Sequence, residues 1–291
     1  MARRALLVGL NHYPNPANNL KGCINDVLQT SKLLQEAYGF DDARQIRVLT
    51  DERATTGAIV DRLRWLVGGS QAGDVLVFHY SGHGSQVRDR HGDELDDGLD
   101  EIICPYDLDW DHPFTDDDMH EIVATLAPGA NLTVILDCCH SGTGLRATAW
   151  DGAPIRPKSI MPPPDVLHRT QPRIEDRGEN RRVTMTGSRR ELALRRFGAR
   201  VAEKGAILMA ACRPNQVSAD AWIDGDYRGA FTYFMWKAAG DAGFALTYSD
   251  LVQRARHELR YAGYDQVPQL EGPAVLLDHA AFAPFEAALA A

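Results

Sequence analysis

The chain has 291 residues, 44% of them apolar and 24% charged, with a formal net charge of −9. This is material for one large α/β domain or two small ones, and the acidic balance argues against nucleic-acid binding as the main task. Five cysteines (Cys23, Cys104, Cys138, Cys139 and Cys212) form no C-x-x-C pair, which suits free thiols in a reducing, cytoplasmic setting rather than a disulfide scaffold.

The opening run, Ala5–Leu10, is too short for a signal peptide, and no later run approaches the roughly 20 apolar residues of a membrane span. In chain order the pattern predicts a strand over Arg4–Leu10 and a Pro/Asn loop over Tyr13–Leu20. An amphipathic helix over Gly22–Tyr38 follows, stopped by Gly39. Next come a strand over Ile46–Leu49 and a helix over Thr55–Val67, ended by Gly68-Gly69. Asp74–Tyr80 is continuously apolar from Val75 to Phe78, as a strand buried on both faces requires. A short strand over Glu101–Pro105, a helix over Asp116–Leu126 with Thr115 as N-cap, and a strand over Asn131–Leu136 are expected next.

Arg146–Glu203 breaks the rhythm with a proline run and repeated arginine, and reads as a surface insertion. A strand over Ala206–Ala211, helices over Gly229–Ala239 and Tyr248–Ala262, a strand over Ala274–Leu277 and a helix over Ala280–Leu289 complete the reading. Alternation of strands and helices predicts a mostly parallel sheet with helices on both faces.

Two polar loops follow buried strands. Tyr80-Ser-Gly-His-Gly-Ser85 ends one, and Asp137-Cys-Cys-His-Ser-Gly142 ends another. The carboxyl edge of an α/β sheet is where such folds place their chemistry. If the strands are neighbours, an imidazole at His83 can activate a thiol at Cys139 and return the proton to a leaving amine. The amides of Gly84 and Cys139 are then candidates for an oxyanion hole.

Charge is segregated around these loops. Asp89–Glu121 holds 14 acids and one base, whereas Thr143–Gly205 holds 14 Lys/Arg and seven acids. Either block alone reads as a solvated face.

The loops Tyr80–Gly84 and Asp137–Gly142 resemble the two signature motifs of the metacaspases, in the caspase-like clan of cysteine peptidases. Leu20–Asp26, Gly92–Glu101, Asp116–His120, Ala211–Asp220, Gly229–Thr232 and Gln266–Leu270 resemble other segments of that family. The resemblance implies an α/β caspase-like fold: a large-subunit-like part over 1–142, a basic insertion over 143–204 and a small-subunit-like part over 205–291. It implies a His83–Cys139 dyad, with Cys138 a buried bystander.

The resemblance also implies cleavage of polypeptides after Arg or Lys, with Asp26 and Asp137 as pocket carboxylates flanked by Cys23 and Ser81; two acids at a pocket base suit a guanidinium or ammonium. The plainer readings are a helix first-turn acid for Asp26 and a turn or cap for Asp137. Calcium is implied as activator, with Asp100, Asp116 and Asp117 as ligands, and no organic cofactor is implied. A fourth ligand of some members falls at Arg146, which leaves three alternatives open: weak calcium binding, use of another acid such as Asp151, or no need for calcium. An EF-hand over Asp93–Cys104 fails because Leu95 and Cys104 occupy ligand positions. Self-cleavage of the latent enzyme in the basic insertion is expected, with Arg146, Arg182, Arg190 and Arg196 as candidates. No nucleic acid, membrane or second subunit is expected. The rival expectation is a catalytically silent caspase-like scaffold that binds basic segments.

Overall fold

A computed structural model describes residues 1–88, 99–140, 155–169, 205–213 and 215–285. A six-stranded sheet forms the centre. Its strands are β1 (Arg3–Gly9), β2 (Ile46–Thr50), β3 (Val75–Ser81), β6 (Asn131–Asp137), β8 (Ala206–Ala210) and β11 (Gln269–Glu271), in the order β11-β8-β6-β3-β1-β2. All neighbours run parallel except β11, which runs antiparallel to β8. Every residue of β3 and β6 is buried, as expected for central strands covered on both faces.

Helices cover both faces. On one side α3 (Thr56–Val67) and α4 (Asp116–Val123) set Ile59, Leu63, Met119 and Ile122 against Leu6, Phe78 and Val134. On the other, α1 (Cys23–Tyr38), α6 (Ala230–Asp241) and α7 (Tyr248–Tyr261) set Val27, Phe231, Trp236 and Leu251 against Leu7, Val77, Ile135 and Ile207. Gly39 closes α1 in the left-handed region (φ 69°), Thr55 caps α3, and Thr115 and Asp118 form a capping box at α4. A short α2 (Asp42–Gln45) leads into β2.

Two small sheets sit beyond the carboxyl edge. One is the hairpin of β4 (Gly84–Arg88) and β5 (Leu99–Ile103). The other orders β10 (Asp226–Gly229), β9 (Ala219–Ile223) and β7 (Arg156–Pro157), all antiparallel. The insertion thus contributes β7 and also α5 (Pro164–Arg169).

The C-terminal expectations need correction. Ala274–Leu277 is a short helix, α8, rather than a strand. Its four apolar residues imitate a strand, but Pro273 stands at the N-cap with φ −57° and leads the chain into a turn of helix. The last strand is Gln269–Glu271 instead. Residues 280–285 are not helical, and Phe282 adopts φ 58° to stack on Trp236 at 5.4 Å. The strands β4, β9 and β10 were not anticipated, because their mixed polar sequences carry no clear alternation. Among the described residues, no helix is long and apolar enough to cross a membrane.

Candidate active site

Parallel register brings the two polar loops together. Gly9 pairs with Ser81, and Ser81 with Asp137, so the ends of β1, β3 and β6 lie level and adjacent. His83 and Cys139 leave neighbouring strand ends and are both buried. His83 is fixed from several sides. Its amide donates to the Tyr13 hydroxyl (2.9 Å), the Tyr80 hydroxyl lies 2.7 Å from its carbonyl, and its ring lies 4.8 Å from that of Tyr13. Nε2 stands 2.7 Å from the Asn18 carbonyl, which offers only lone pairs, so in the neutral ring Nε2 carries the hydrogen and Nδ1 the lone pair. Nδ1 is buried without a hydrogen-bond partner among the described residues. Burial pushes the His83 pKa down to about 4, against the opposing pull of the Asn18 bond.

The Cys139 thiol is held below its ordinary pKa. The largest cause is a hydrogen bond from the Cys212 thiol; burial opposes it, while the Ser218 backbone, the Ser159 side chain and the Lys158 charge assist. Cys138 is buried and its pKa is raised, chiefly by burial. All five cysteines are free thiols.

Asp26 and Asp137 meet in one fully buried pocket. Between them sits a residue of the same chain, Lys158, whose ammonium lies 3.1 Å from Asp26 Oδ2, 3.2 Å from Asp137 Oδ1 and 2.9 Å from Ser81 Oγ. Ser81 also donates to Asp26 (2.7 Å) and Gly229 N–H to its other oxygen (2.8 Å). Asp137 accepts from Ser218 Oγ (2.6 Å), Thr232 Oγ1 (2.6 Å) and the Thr232 amide (3.1 Å). Cys23 is fully buried and near enough to Lys158 to feel its charge.

The two acids titrate in opposite directions. Burial raises Asp26 to about 6 despite Lys158, and the Asp137 charge adds to the rise. Burial also acts upward on Asp137, but Lys158, Ser218 and Thr232 together outweigh it and the net shift is down. Burial would lower the Lys158 pKa, but Asp137, Cys23 and Asp26 hold it well above the usual lysine range, so the ammonium is charged.

The Lys158 backbone is equally engaged. Its carbonyl accepts from the amides of both Gly84 (3.1 Å) and Cys139 (3.0 Å), and its own amide donates to the Ser218 carbonyl (3.0 Å). Upstream, β7 adds to β9 as an antiparallel strand, with Arg156 opposite Asp220 and Pro157 opposite Ala219. Downstream, Ser159 bridges to Gly84, and the Ile160 amide donates to the Gly84 carbonyl (3.0 Å). Lys158 thus lies with its ammonium between two carboxylates and its carbonyl on the amides of Gly84 and Cys139.

Sequence reasoning did not single out Lys158, one of 14 bases in the insertion, and no local signal marks it. Nor did it assign roles to Ser218, Thr232, Tyr13, Asn18 or Cys212. Ser218, Thr232 and Cys212 fall in segments singled out for resemblance, where polar residues among apolar ones were the available signal. Gly229 is needed for space: a Cβ there would stand 2.3 Å from Asp137 Oδ2 and Lys158 Nζ and 2.5 Å from Asp26 Oδ2. The candidate cleavage sites Arg146, Arg182, Arg190 and Arg196, and the alternative ligand Asp151, lie outside the described residues.

For calcium, the bridge between Ile102 and Thr115 brings the strand carrying Asp100 beside the start of α4 with Asp116 and Asp117. Asp100 is buried, and the other two are half-buried. Among the described residues, no three His, Cys, Asp or Glu side chains converge as a metal-binding set, so these acids do not by themselves fit a complete calcium shell.

The fold is that of the caspases. The chain aligns with caspase-1 from Spodoptera frugiperda at TM-score 0.53 and 11% identity, over 98% of this chain and 90% of that one. It also aligns with protein GSU0716 from Geobacter sulfurreducens at TM-score 0.65 and 24% identity, over 98% and 100% respectively. Within that class the chain belongs to the metacaspases: residues 3–148 match the family "Metacaspase, peptidase C14 domain". Metacaspase-1 of Schizosaccharomyces pombe is 34% identical over 92% of this chain and 66% of its own length, and metacaspase-1B of Aspergillus oryzae is 33% identical over 92% and 67%. The chain therefore spans about two thirds of the length of these relatives.

Proposed function

We propose that this chain is a cysteine endopeptidase that cleaves polypeptides after lysine or arginine, and that Lys158–Ser159 is a bond it cleaves in itself. The observation that carries this is the placement of Lys158: ammonium between Asp26 and Asp137, carbonyl on the Gly84 and Cys139 amides. In the proposed reaction the Cys139 thiolate adds to the lysine carbonyl and the two amides hold the oxyanion. His83, having taken the thiol proton at Nδ1, returns it to the departing Ser159 amine. Water then hydrolyses the thioester, its proton passing through His83. Before the cut, the same segment fills the groove and keeps other substrates out, so the intact chain is latent. An arginine fits the same two carboxylates through its forked donors.

Calcium activation belongs to this proposal on the oxygen chemistry of Asp100, Asp116 and Asp117. Its separate check is a thermal shift: calcium should raise the melting temperature of the Cys139→Ala chain, and Asp100→Asn with Asp116→Asn should abolish the rise.

The deciding experiment pairs mass spectrometry with peptide hydrolysis. Wild type and Cys139→Ala are incubated with calcium or chelator. Cleavage between 158 and 159 in the wild type alone, with hydrolysis of Lys- and Arg-ending but not Asp-ending fluorogenic peptides, is expected. An intact wild-type chain that hydrolyses no Lys or Arg peptide would favour the silent scaffold, which the same plugged pocket would also suit.

A further inference from the structure

A file of polar side chains runs beneath the carboxylate pocket, on the face of the sheet that α1 and α6 cover. His79 and Ser81 are two residues apart in β3 and share that face. In α1, Thr30 lies one turn after Asp26; in α6, Trp236 lies one turn after Thr232. His79 therefore stands one layer below Ser81, between the two helices. Its Nδ1 is 3.0 Å from Thr30 Oγ1 and its Nε2 is 3.3 Å from Thr232 Oγ1. Trp236 Nε1 donates to Thr30 Oγ1 (2.8 Å), and Thr232 Oγ1 donates to Asp137 Oδ2 (2.6 Å). His79, Thr30, Thr232 and Asp137 are fully buried, and the indole nearly so. The ladder neighbours of His79 are apolar, Leu7 and Ile135, so an imidazole here is costly unless both nitrogens are bonded.

The chemistry of each group fixes the direction of the hydrogens. A carboxylate only accepts, so the Thr232 hydroxyl gives its hydrogen to Asp137 and takes one from His79 Nε2. Burial brings the His79 pKa down to about 3, so the ring is neutral and Nδ1 holds a lone pair. That lone pair accepts from the Thr30 hydroxyl, whose oxygen accepts the indole hydrogen. Every donor from Trp236 to Thr232 thus points towards Asp137. The file ends on Oδ2, while Oδ1 faces Lys158 (3.2 Å) and Ser218 (2.6 Å).

We propose that His79 is a positioning residue for selection of the basic side chain: it holds the Thr232 hydroxyl on Asp137 Oδ2 and so keeps Oδ1 turned to the incoming ammonium or guanidinium. This rests on the peptidase reading above and adds to it a residue that touches neither the substrate nor the thiol. Hydrogen bonds in such a file polarise one another, so the loss of one link weakens the bond at its end.

The test uses the full-length chain after incubation with calcium, and Lys- and Arg-ending fluorogenic peptides. His79→Leu should raise KM by about tenfold. His79→Gln, whose amide offers both a donor and an acceptor, should bring KM back to within about threefold of wild type. Alkylation of Cys139 by iodoacetamide, a small neutral reagent that needs no pocket, should keep its wild-type rate in both variants. In a Thr232→Val background, where the file is already cut, adding His79→Leu should cost less than about twofold more. Equal losses in both backgrounds, no rescue by glutamine, or a matching loss of alkylation would show a purely structural role and overturn the proposal. A nitrogen NMR spectrum of the isotope-labelled Cys139→Ala chain needs no change at His79, and it decides the matter if His79→Leu does not fold. Nε2 should carry the hydrogen and Nδ1 the lone pair, unchanged between about pH 5 and about pH 8. The opposite tautomer, or a ring that titrates in that range, overturns the proposal. A wild type that hydrolyses no Lys or Arg peptide overturns the peptidase reading and this proposal with it, whereas equal KM for wild type and His79→Leu overturns this proposal alone.

Discussion

The strand ends of β3 and β6 and the segment 155–160 converge on one point, but different forces bring them there. Ser81 and Asp137 are positioned by parallel strands whose every residue is buried, so moving them means moving the core. Lys158 follows a two-residue edge strand and is held by two carboxylates, one hydroxyl and a few backbone bonds. The first arrangement is part of the fold's stability. The second is a short segment docked in the pocket by polar contacts, and in the proposed function it is a tethered substrate that another lysine or arginine would replace.

The sharpest way to break this comparison is to remove the reacting group. Cys139→Ala should lower cleavage of every peptide by ~1,000-fold or more while leaving Lys158 in place and the chain intact by mass. Residual cleavage at the wild-type rate would locate the chemistry elsewhere. Next in size is Gly229→Ala, which puts a methyl among the pocket oxygens. Lys and Arg peptides should lose roughly 100-fold in kcat/KM through this overpacking, read against an unchanged circular dichroism spectrum.

Lys158→Met tests the attached peptide itself. It should prevent the 158–159 cut and cost about 3 kcal/mol in urea denaturation, because two carboxylates lose their buried counter-charge. Asp26 should then titrate still higher, since the ammonium that draws it down is gone. An unchanged stability would mean the pocket hydrates freely and the segment contributes little to the fold.

The smallest effect is a pH dependence. Burial lowers His79 to about 3 and His83 and His140 to about 4. A group whose folded pKa lies below its unfolded value of about 6.5 stabilises the fold above that value and loses the contribution as pH falls. Stability should therefore decline from pH 6.5 towards 4, with a slope of up to about 1.4 kcal/mol per pH unit for each imidazole. Asp26, raised by burial to about 6, acts oppositely: its contribution grows as pH falls through 6. Denaturant melts of wild type and Asp26→Asn across this range should differ in slope between pH 6 and 4.

The central sheet and most of its covering helices were legible because buried parallel strands leave continuous apolar runs, and amphipathic helices repeat near 3.6 residues. The polar loops after β3 and β6 stood out for the same reason: reactive residues end abruptly where an apolar strand stops. The edge hairpins were hidden, since strands such as Gly84–Arg88 bury few apolar side chains and owe their form to pairing partners far along the chain. Ala274–Leu277 misled because four apolar residues fit a strand or a turn of helix equally, and Pro273 decides between them.

Sequence alone determined that a histidine, His83, and a thiol, Cys139, follow the ends of two buried strands, because local order sets what each strand delivers at its end. It did not determine what sits between Asp26 and Asp137. That required Lys158, Ser218, Thr232 and Gly229 to meet those acids across separations of up to 203 residues. Such a meeting depends on strand order and register, properties of the folded sheet that no stretch of residues carries by itself.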